Sequence, residues 1–332
     1  MLDTTGGSSI RAVRPPTETD FTHARSVVAA NLSPTPLFAA SIPGRSCSLK
    51  LESMQPTGSF KVRGALAAMS GVPEGSRILA VSAGNHALGI AWASQLLRVP
   101  ATVVIAETAS PAKRAKLEQL PIELVRHGKS YDEAEAYALH LARSAPVGTV
   151  FISAYNDPLV IAGASTVLDE IVGQSKQTGP LTVVVPTSGG GLLAGVAMRA
   201  SELGTPDRPI AVIGVELETS PAMSTALAAG HVVEIPVGKT IADGMAGNFE
   251  PGSITVELIS GRIAGVVAVS EAEIGAALRS LASEHGLIAE GAGAATLAAI
   301  LAGKVGDYEG EIVAIVSGRN IALPLLAEVL GS

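Results

Sequence analysis

The sequence predicts an α/β fold with mostly parallel sheets, and three observations carry that prediction. Short β-branched runs alternate with longer Ala/Leu-rich segments along nearly the whole chain. The strand-like runs are apolar throughout, as strands covered by helices on both faces must be. Aromatic residues make up 3% of the chain and apolar residues 47%, so the core has to be layered from Ala, Val, Leu and Ile. A length of 332 residues suggests two domains at about 150 residues each.

In chain order, the β-branched runs predict strands at Arg77–Val81, Ala101–Ala106, Ile122–Val125, Thr149–Ile152, Leu181–Val185, Ile210–Val215, Gly265–Val269 and Ile312–Val316. Helix-like stretches lie between them at Ala87–Leu97, Tyr131–Ser144, Leu192–Leu203, Glu271–His285 and Ala294–Leu301. The first twenty or so residues combine acids, Pro and Gly and read as a loose arm. The 36 glycines and 20 prolines supply turns without a collagen-like period.

Composition excludes several classes of function. Lys plus Arg number 23 against 30 for Asp plus Glu, a net charge of −7 with no basic run, which argues against a nucleic-acid partner. The single cysteine, Cys47, can make no internal disulfide and reads as a small apolar filler. No Cys/His spacing suggests a zinc site. The N-terminus lacks the apolar core of a signal peptide. The long uncharged stretch from Gln177 to Met198 is interrupted by Pro186 and three glycines, so it reads as strand–loop–helix and not as a membrane span. These features lead us to expect a soluble, cytoplasmic protein.

Ligands in parallel α/β folds sit beyond the carboxyl ends of strands, and three such loops stand out. The first, Pro186-Thr187-Ser188-Gly189-Gly190-Gly191-Leu192, opens from a strand into glycines and then a helix. Its N–H groups and helix dipole suit a phosphate, although a plain Gly-rich turn has the same composition. Gly189-x-Gly191-x-x-Ala194 also satisfies a dinucleotide fingerprint, with Glu216 near the position of a ribose ligand. A nicotinamide-dependent oxidoreductase is therefore an alternative, weakened because the fingerprint follows several earlier strands. The second loop, Ser82-Ala83-Gly84-Asn85-His86, offers N–H groups and polar side chains for a carboxylate, or a polar helix cap. In the third, Ser59-Phe60-Lys61-Val62-Arg63, Lys61 sits in an almost neutral setting that would lower its pKa, as Schiff-base chemistry requires. Arg63, if near, would lower it further. A solvated lysine starting a helix is the bland reading.

Together the three loops resemble the tryptophan-synthase-β-like, or fold-type II, family of pyridoxal phosphate enzymes, and within it the serine/threonine dehydratase and serine racemase branch. The resemblance runs from Pro34-Thr35-Pro36-Leu37 to Ser317-Gly318-Arg319-Asn320, with the motifs in the family's order. It implies two open, mostly parallel twisted sheets flanked by helices, with the cofactor between a large and a small domain. The large domain would combine 1–76 with 152–332, and 77–151 would form a small mobile domain that closes over substrate. Carried over by position, Lys61 would hold pyridoxal 5'-phosphate as a Schiff base and then act as the base at the substrate Cα. Phe60 would pack beside the cofactor and Asn85 would bond its ring hydroxyl. Ser188, Gly189, Gly190, Gly191 and Leu192 would hold its phosphate, and Ser317 would face its pyridine nitrogen. Ser82, Ala83, Gly84, Asn85 and His86 would line the substrate side, with Tyr155 and Asp243 nearby.

The resemblance implies α,β-elimination of water from a β-hydroxy-α-amino acid such as L-threonine or L-serine, giving a 2-oxo acid and ammonia. Alternatives are dehydration of phenylserine or hydroxyaspartate, and amino-acid racemisation. The departures fall on the substrate side: Ser153-Ala154-Tyr155-Asn156-Asp157-Pro158 replaces a His-Pro-Phe-Asp-Asp-Pro pattern, and Ala164-Ser165 replaces Gln-Gly. Glu216 matches one ligand of a divalent cation found in some relatives, but Ala222 stands where the second acid would be, so no metal is expected. A homodimer or homotetramer is expected. The chain ends twelve residues after Asn320, which leads us to expect no C-terminal regulatory domain.

Overall fold

The computed structural model describes residues 11–42, 45–144 and 148–331. Among them, ten strands form two sheets: β1 Leu37–Ile42, β2 Arg45–Lys50, β3 Arg77–Val81, β4 Ala101–Ile105, β5 Glu123–Arg126, β6 Thr149–Phe151, β7 Leu181–Pro186, β8 Ile210–Leu217, β9 Gly265–Val269 and β10 Glu311–Ile315. One sheet has the order β1-β2-β10-β7-β8-β9 and the other β5-β4-β3-β6. Every pairing is parallel except the β1–β2 hairpin. The expected class is the class found. All eight expected strands are present within two residues of their expected ends, and the helices Tyr131–Ser144 and Glu271–His285 match residue for residue. The β1–β2 hairpin was not anticipated, because Arg45-Ser46-Cys47-Ser48-Leu49-Lys50 does not look like a strand buried beside β10.

The chain divides into two units, one comprising residues 11–32 and 61–163 and the other 33–60 and 164–331 among the described residues. The segment 77–151 contains all four strands of the smaller sheet.

In the first unit the pleat decides what each strand residue touches. Ile78, Ala80, Val103 and Ile105 face a core shared with the helices Lys61–Ser70 and Asn85–Leu97. Leu79, Val81 and Val104 face the other way, onto Ala134, Ala138 and Ala142 of the helix Tyr131–Ser144. Small residues let the two helices meet closely: a Cβ on Gly89 would lie 3.1 Å from the Lys61 carbonyl oxygen. The start of the Lys61 helix is thereby held inside the unit.

Of the loose arm expected over the first twenty or so residues, the part from residue 11 onward is held in place. Residues 1–10 lie outside the described residues. Arg11 donates to both Asp157 oxygens at 2.8 and 2.7 Å and to the Ala68 carbonyl at 2.9 Å. Thr17 and the buried Asp20 then form a capping box that starts the helix Glu18–Asn31. The capping box is polar, and the Arg11 partners lie 146 and 57 positions away, so an apolar pattern could not reveal them.

In the second unit the apolar sides of β2, β10, β7, β8 and β9 build one core with the helices Glu271–His285 and Gly291–Leu301. The stretch around Pro186 resolves into β7, a loop and the helix Gly191–Leu203, as expected. No helix among the described residues is long and apolar enough to cross a membrane. Lys50, 0% exposed, donates to Glu170 at 2.6 Å, Gln174 at 2.8 Å and the Thr35 carbonyl at 2.7 Å. Thr35 in turn donates to the buried Glu52 at 2.6 Å, so the network ties the end of β2 to the helix Pro158–Gln174.

Removing one partner from a buried ion pair strands the other charge and typically costs about 3–5 kcal/mol. Glu170→Ala is therefore expected to lower unfolding stability by about that amount, measured by urea denaturation. Lys50→Met is expected to cost less, because the carboxylate it strands, Glu170, is 14% exposed and keeps the Thr35 N–H. A loss below about 1 kcal/mol in Glu170→Ala would show that Lys50 finds water instead.

Candidate active site

Because β2, β10, β7 and β8 run parallel side by side, their carboxyl ends share one edge of the larger sheet. After β7, Thr187-Ser188-Gly189-Gly190 leads into the helix Gly191–Leu203, whose N-cap Gly190 provides no side-chain cap. The first N–H groups of this helix have no intrahelical acceptor, and they carry the positive end of the dipole. Gly190 has φ +84° and is walled in: a Cβ there would meet the Met223 Cε at 2.8 Å and Thr255 at 2.9 Å. A glycine is required on both counts.

After β10 comes Ser317, 4% exposed, with its hydroxyl donating to the Ala292 carbonyl at 3.3 Å. The segment leaving β2 is stitched to this strand end. Ser53 N–H donates to the Val316 carbonyl at 2.9 Å, Phe60 N–H to the Ser317 carbonyl at 3.0 Å, and Arg319 N–H to the Gly58 carbonyl at 2.9 Å. Phe60, half-buried, is fixed at Ser317, and Lys61 follows by one peptide bond.

Glu216, at the end of β8, is turned to another task. It is 3% exposed and accepts the N–H groups of Met223 and Ser224 at 3.0 and 3.1 Å, capping the helix Ala222–Ala229. Burial raises its pKa, partly offset by its bonds to Ser224 and Met223. An oxygen committed in this way leaves the carboxylate a poor candidate for a ribose or a cation. Asp243 is exposed, in the turn Asp243–Met245.

In the first unit, β3 ends at Ser82, whose hydroxyl accepts the Gly84 N–H at 3.0 Å. Ser82, Ala83, Gly84 and Asn85 are half-buried, and a Cβ built on Gly84 would meet nothing within 4 Å, so open space adjoins the loop. The helix Asn85–Leu97 begins there without a side-chain cap. The His86 side chain turns inward: it is 2% exposed, with Nε2 3.3 Å from the Ile152 carbonyl. Burial, followed by the nearby Lys61 charge, pushes its pKa down to about 3, against a smaller opposing effect of the Ile152 bond. A neutral ring must donate through Nε2 to that carbonyl, which leaves its backbone N–H as the group His86 presents in the helix's first turn.

Lys61 is the first residue of its helix, so the bland sequence reading of its local structure is right and does not compete with the functional one. Its Nζ donates to the Ala154 carbonyl at 2.8 Å. Desolvation lowers its pKa to about 8. Arg63 does not contribute as expected, because residues two apart on a helix do not face each other; it is itself wholly buried. Ala154 was not foreseen, since a carbonyl that any residue can supply leaves no mark in sequence. Half-buried Tyr155 follows it, in a turn where the Ser153 hydroxyl accepts the Asn156 N–H at 3.1 Å.

The second unit thus carries a glycine-lined helix N-terminus suited to an anion, and the first unit a desolvated lysine amine. A family profile described as pyridoxal-phosphate dependent enzyme matches residues 28–318. The chain belongs to this family, and its cofactor is pyridoxal phosphate. It is 38% identical over 293 residues to an L-threonine ammonia-lyase of Thermotoga maritima, covering 87% of this chain and 71% of the relative. Among solved structures, the T.th. threonine deaminase superposes with a TM-score of 0.82 at 32% identity, covering 93% of this chain and 99% of that one. Maize serine racemase gives 0.86 at 26% identity, covering 96% and 98%. These matches set aside the oxidoreductase alternative. The residues also fit the cofactor physically: the first N–H groups of the Gly191–Leu203 helix carry no side-chain cap, the wall behind Gly190 admits no side chain, and the lowered pKa of Lys61 leaves roughly a tenth of the amine neutral at pH 7.

Two titrations follow. Lys61 in the cofactor-free protein is expected to react with a limiting acylating reagent with a midpoint near pH 8, against about 10.4 for an ordinary lysine. Peptide mass spectrometry reads this, and a midpoint above pH 10 would contradict the desolvated setting. His86 is expected to stay neutral from pH 5 to 9, with no imidazole titration in its NMR resonances.

Proposed function

We propose that this protein is a pyridoxal-phosphate-dependent ammonia-lyase that eliminates water from a β-hydroxy-α-amino acid, L-threonine or L-serine, yielding a 2-oxo acid and ammonia. The observation that carries the proposal is the lowered pKa of Lys61 in a chain similar to threonine ammonia-lyases over most of its length. When bound, pyridoxal phosphate supplies the electron sink for negative charge at the substrate Cα.

The chain's own residues would supply the rest. Lys61, near half-neutral at pH 8, would be the amine that holds the cofactor aldehyde and the base that takes the substrate Cα proton. The N–H groups of Ser188 to Leu192 would hold the phosphate, Phe60 would pack beside the ring, and Asn85 would meet its hydroxyl. Ser317 would be the group that faces the ring nitrogen; unlike a carboxylate, a neutral hydroxyl would not enforce a full positive charge there, a setting that favours prompt loss of the β-hydroxyl. The backbone N–H groups after Gly84, with Ser82, receive the substrate carboxylate. Tyr155 and Asp243 are proposed on the substrate side. A homodimer or homotetramer is part of the same proposal and is read by light scattering.

Serine racemase is also among the structural neighbours, and Ala83 separates the two reactions. Racemisation needs an acid on the Cα face opposite Lys61, and a methyl group has no proton to give. Absence of a positioned acid costs about 10²–10⁴-fold in rate.

Lys61→Ala is expected to abolish turnover and the borohydride-stable cofactor adduct at residue 61 while leaving the circular dichroism unchanged. An adduct forming at another lysine would overturn the assignment. With L-serine, chiral chromatography is expected to find D-serine at no more than about a hundredth of the 2-oxo acid. Ala83→Ser should raise that ratio at least about tenfold. D-serine appearing as fast as the 2-oxo acid in the unaltered enzyme would sink the lyase proposal.

A further inference from the structure

Thr255 belongs to none of the motifs above, yet it supports the phosphate loop from behind. It opens the short helix Thr255–Ile259, is 0% exposed, and its Oγ1 donates to the Gly189 carbonyl at 2.8 Å. The same oxygen lies 2.9 Å from the Ser253 hydroxyl. We propose that Thr255 is a positioning residue that fixes the direction of the Gly190 N–H toward the cofactor phosphate. The inference rests on reading residues 188–192 as the phosphate cradle.

The argument follows from the geometry of one peptide. In a planar trans peptide the C=O and the following N–H point in opposite directions. Holding the Gly189 oxygen against Thr255 therefore turns the Gly190 N–H away from Thr255. The loop's own sequence offers little resistance to rotation of this peptide, because glycines on both sides tolerate nearly any backbone angle. The restraint has to come from outside the loop.

The hydrogens are fully accounted for. A carbonyl oxygen only accepts, so the single proton of the Thr255 hydroxyl is committed to Gly189. Ser253 is then the donor to Thr255, and the chain Ser253 to Thr255 to Gly189 has one consistent direction. A second support stands beside it. The Met223 Cε and the Thr255 side chain would lie 2.8 and 2.9 Å from a Cβ on Gly190. Met223 is held because its N–H is bound by the buried Glu216 carboxylate. Glu216 thus contributes to the loop through the wall behind it.

Thr255→Val nearly keeps the volume but exchanges the hydroxyl for a methyl, removing the donor to Gly189 and the acceptor for Ser253, and Thr255→Ser restores the hydroxyl. The full-length chain, stripped of cofactor, is titrated with pyridoxal phosphate, with pyridoxal, which has the aldehyde but no phosphate, and with inorganic phosphate. In Thr255→Val the affinities for pyridoxal phosphate and phosphate are expected to fall about tenfold, the scale of one hydrogen bond to a charged group. Pyridoxal affinity is expected to stay unchanged, and Thr255→Ser to behave as the original chain. Unaltered pyridoxal phosphate affinity in Thr255→Val, or an equal loss for pyridoxal, would overturn the positioning role. Should valine prevent folding, Thr255→Ala is measured and judged by the same ratio. Failure of the cradle reading itself has a different signature: the unaltered chain would then bind pyridoxal as tightly as pyridoxal phosphate.

Discussion

The bond from the Phe60 N–H to the Ser317 carbonyl, 3.0 Å long, joins residues 257 positions apart and is the constraint on which the candidate site depends. It closes a small ladder, with Ser53 on Val316 and Arg319 on Gly58, that lays the segment leaving β2 along the end of β10. Without that ladder, the residues that lead into Lys61 would leave the larger sheet unanchored. Gly58, at φ +77°, makes the turn possible, and a Cβ there would press on Asn320. The Asn320 side chain returns a bond to the Thr57 carbonyl at 2.9 Å.

Burial then turns position into chemistry. A lysine in water at neutral pH is almost wholly charged and a poor nucleophile. Desolvation alone moves Lys61 to about 8, and no second cation is needed for the shift. The same enclosure keeps His86 neutral, so that it bonds the Ile152 carbonyl without placing a second positive charge beside the lysine. The anion site uses the opposite device: helix N–H groups left uncapped, at a glycine whose back wall admits no side chain.

Much of the fold was legible because its signals are local and apolar. The runs that became β3, β4, β7, β8 and β10 are continuous and β-branched, which is what a strand buried on both faces demands. Strand β2 was hidden because Arg45, Ser46, Ser48 and Lys50 make it mostly polar, two of them for reasons that lie elsewhere. Ser48 bonds Glu311 and Lys50 bonds Glu170, partners 263 and 120 positions away. The N-terminal helix was missed because a capping box and a guanidinium clamp are read from single polar residues.

The sequence by itself determined the fold class, the lysine in its apolar setting, the glycine loop and the Ser-Ala-Gly-Asn-His loop, because composition and spacing carry those directly. Only the tertiary structure decided what surrounds them. It assigned the Ala154 carbonyl to Lys61, the Ile152 carbonyl to His86, Thr255 to the Gly189 carbonyl, and Glu216 to the cap of a neighbouring helix. Each of these is a bond to a backbone group, and every residue but proline carries the same N–H and C=O. Their use is therefore fixed by where the chain passes in space and leaves no trace in residue type.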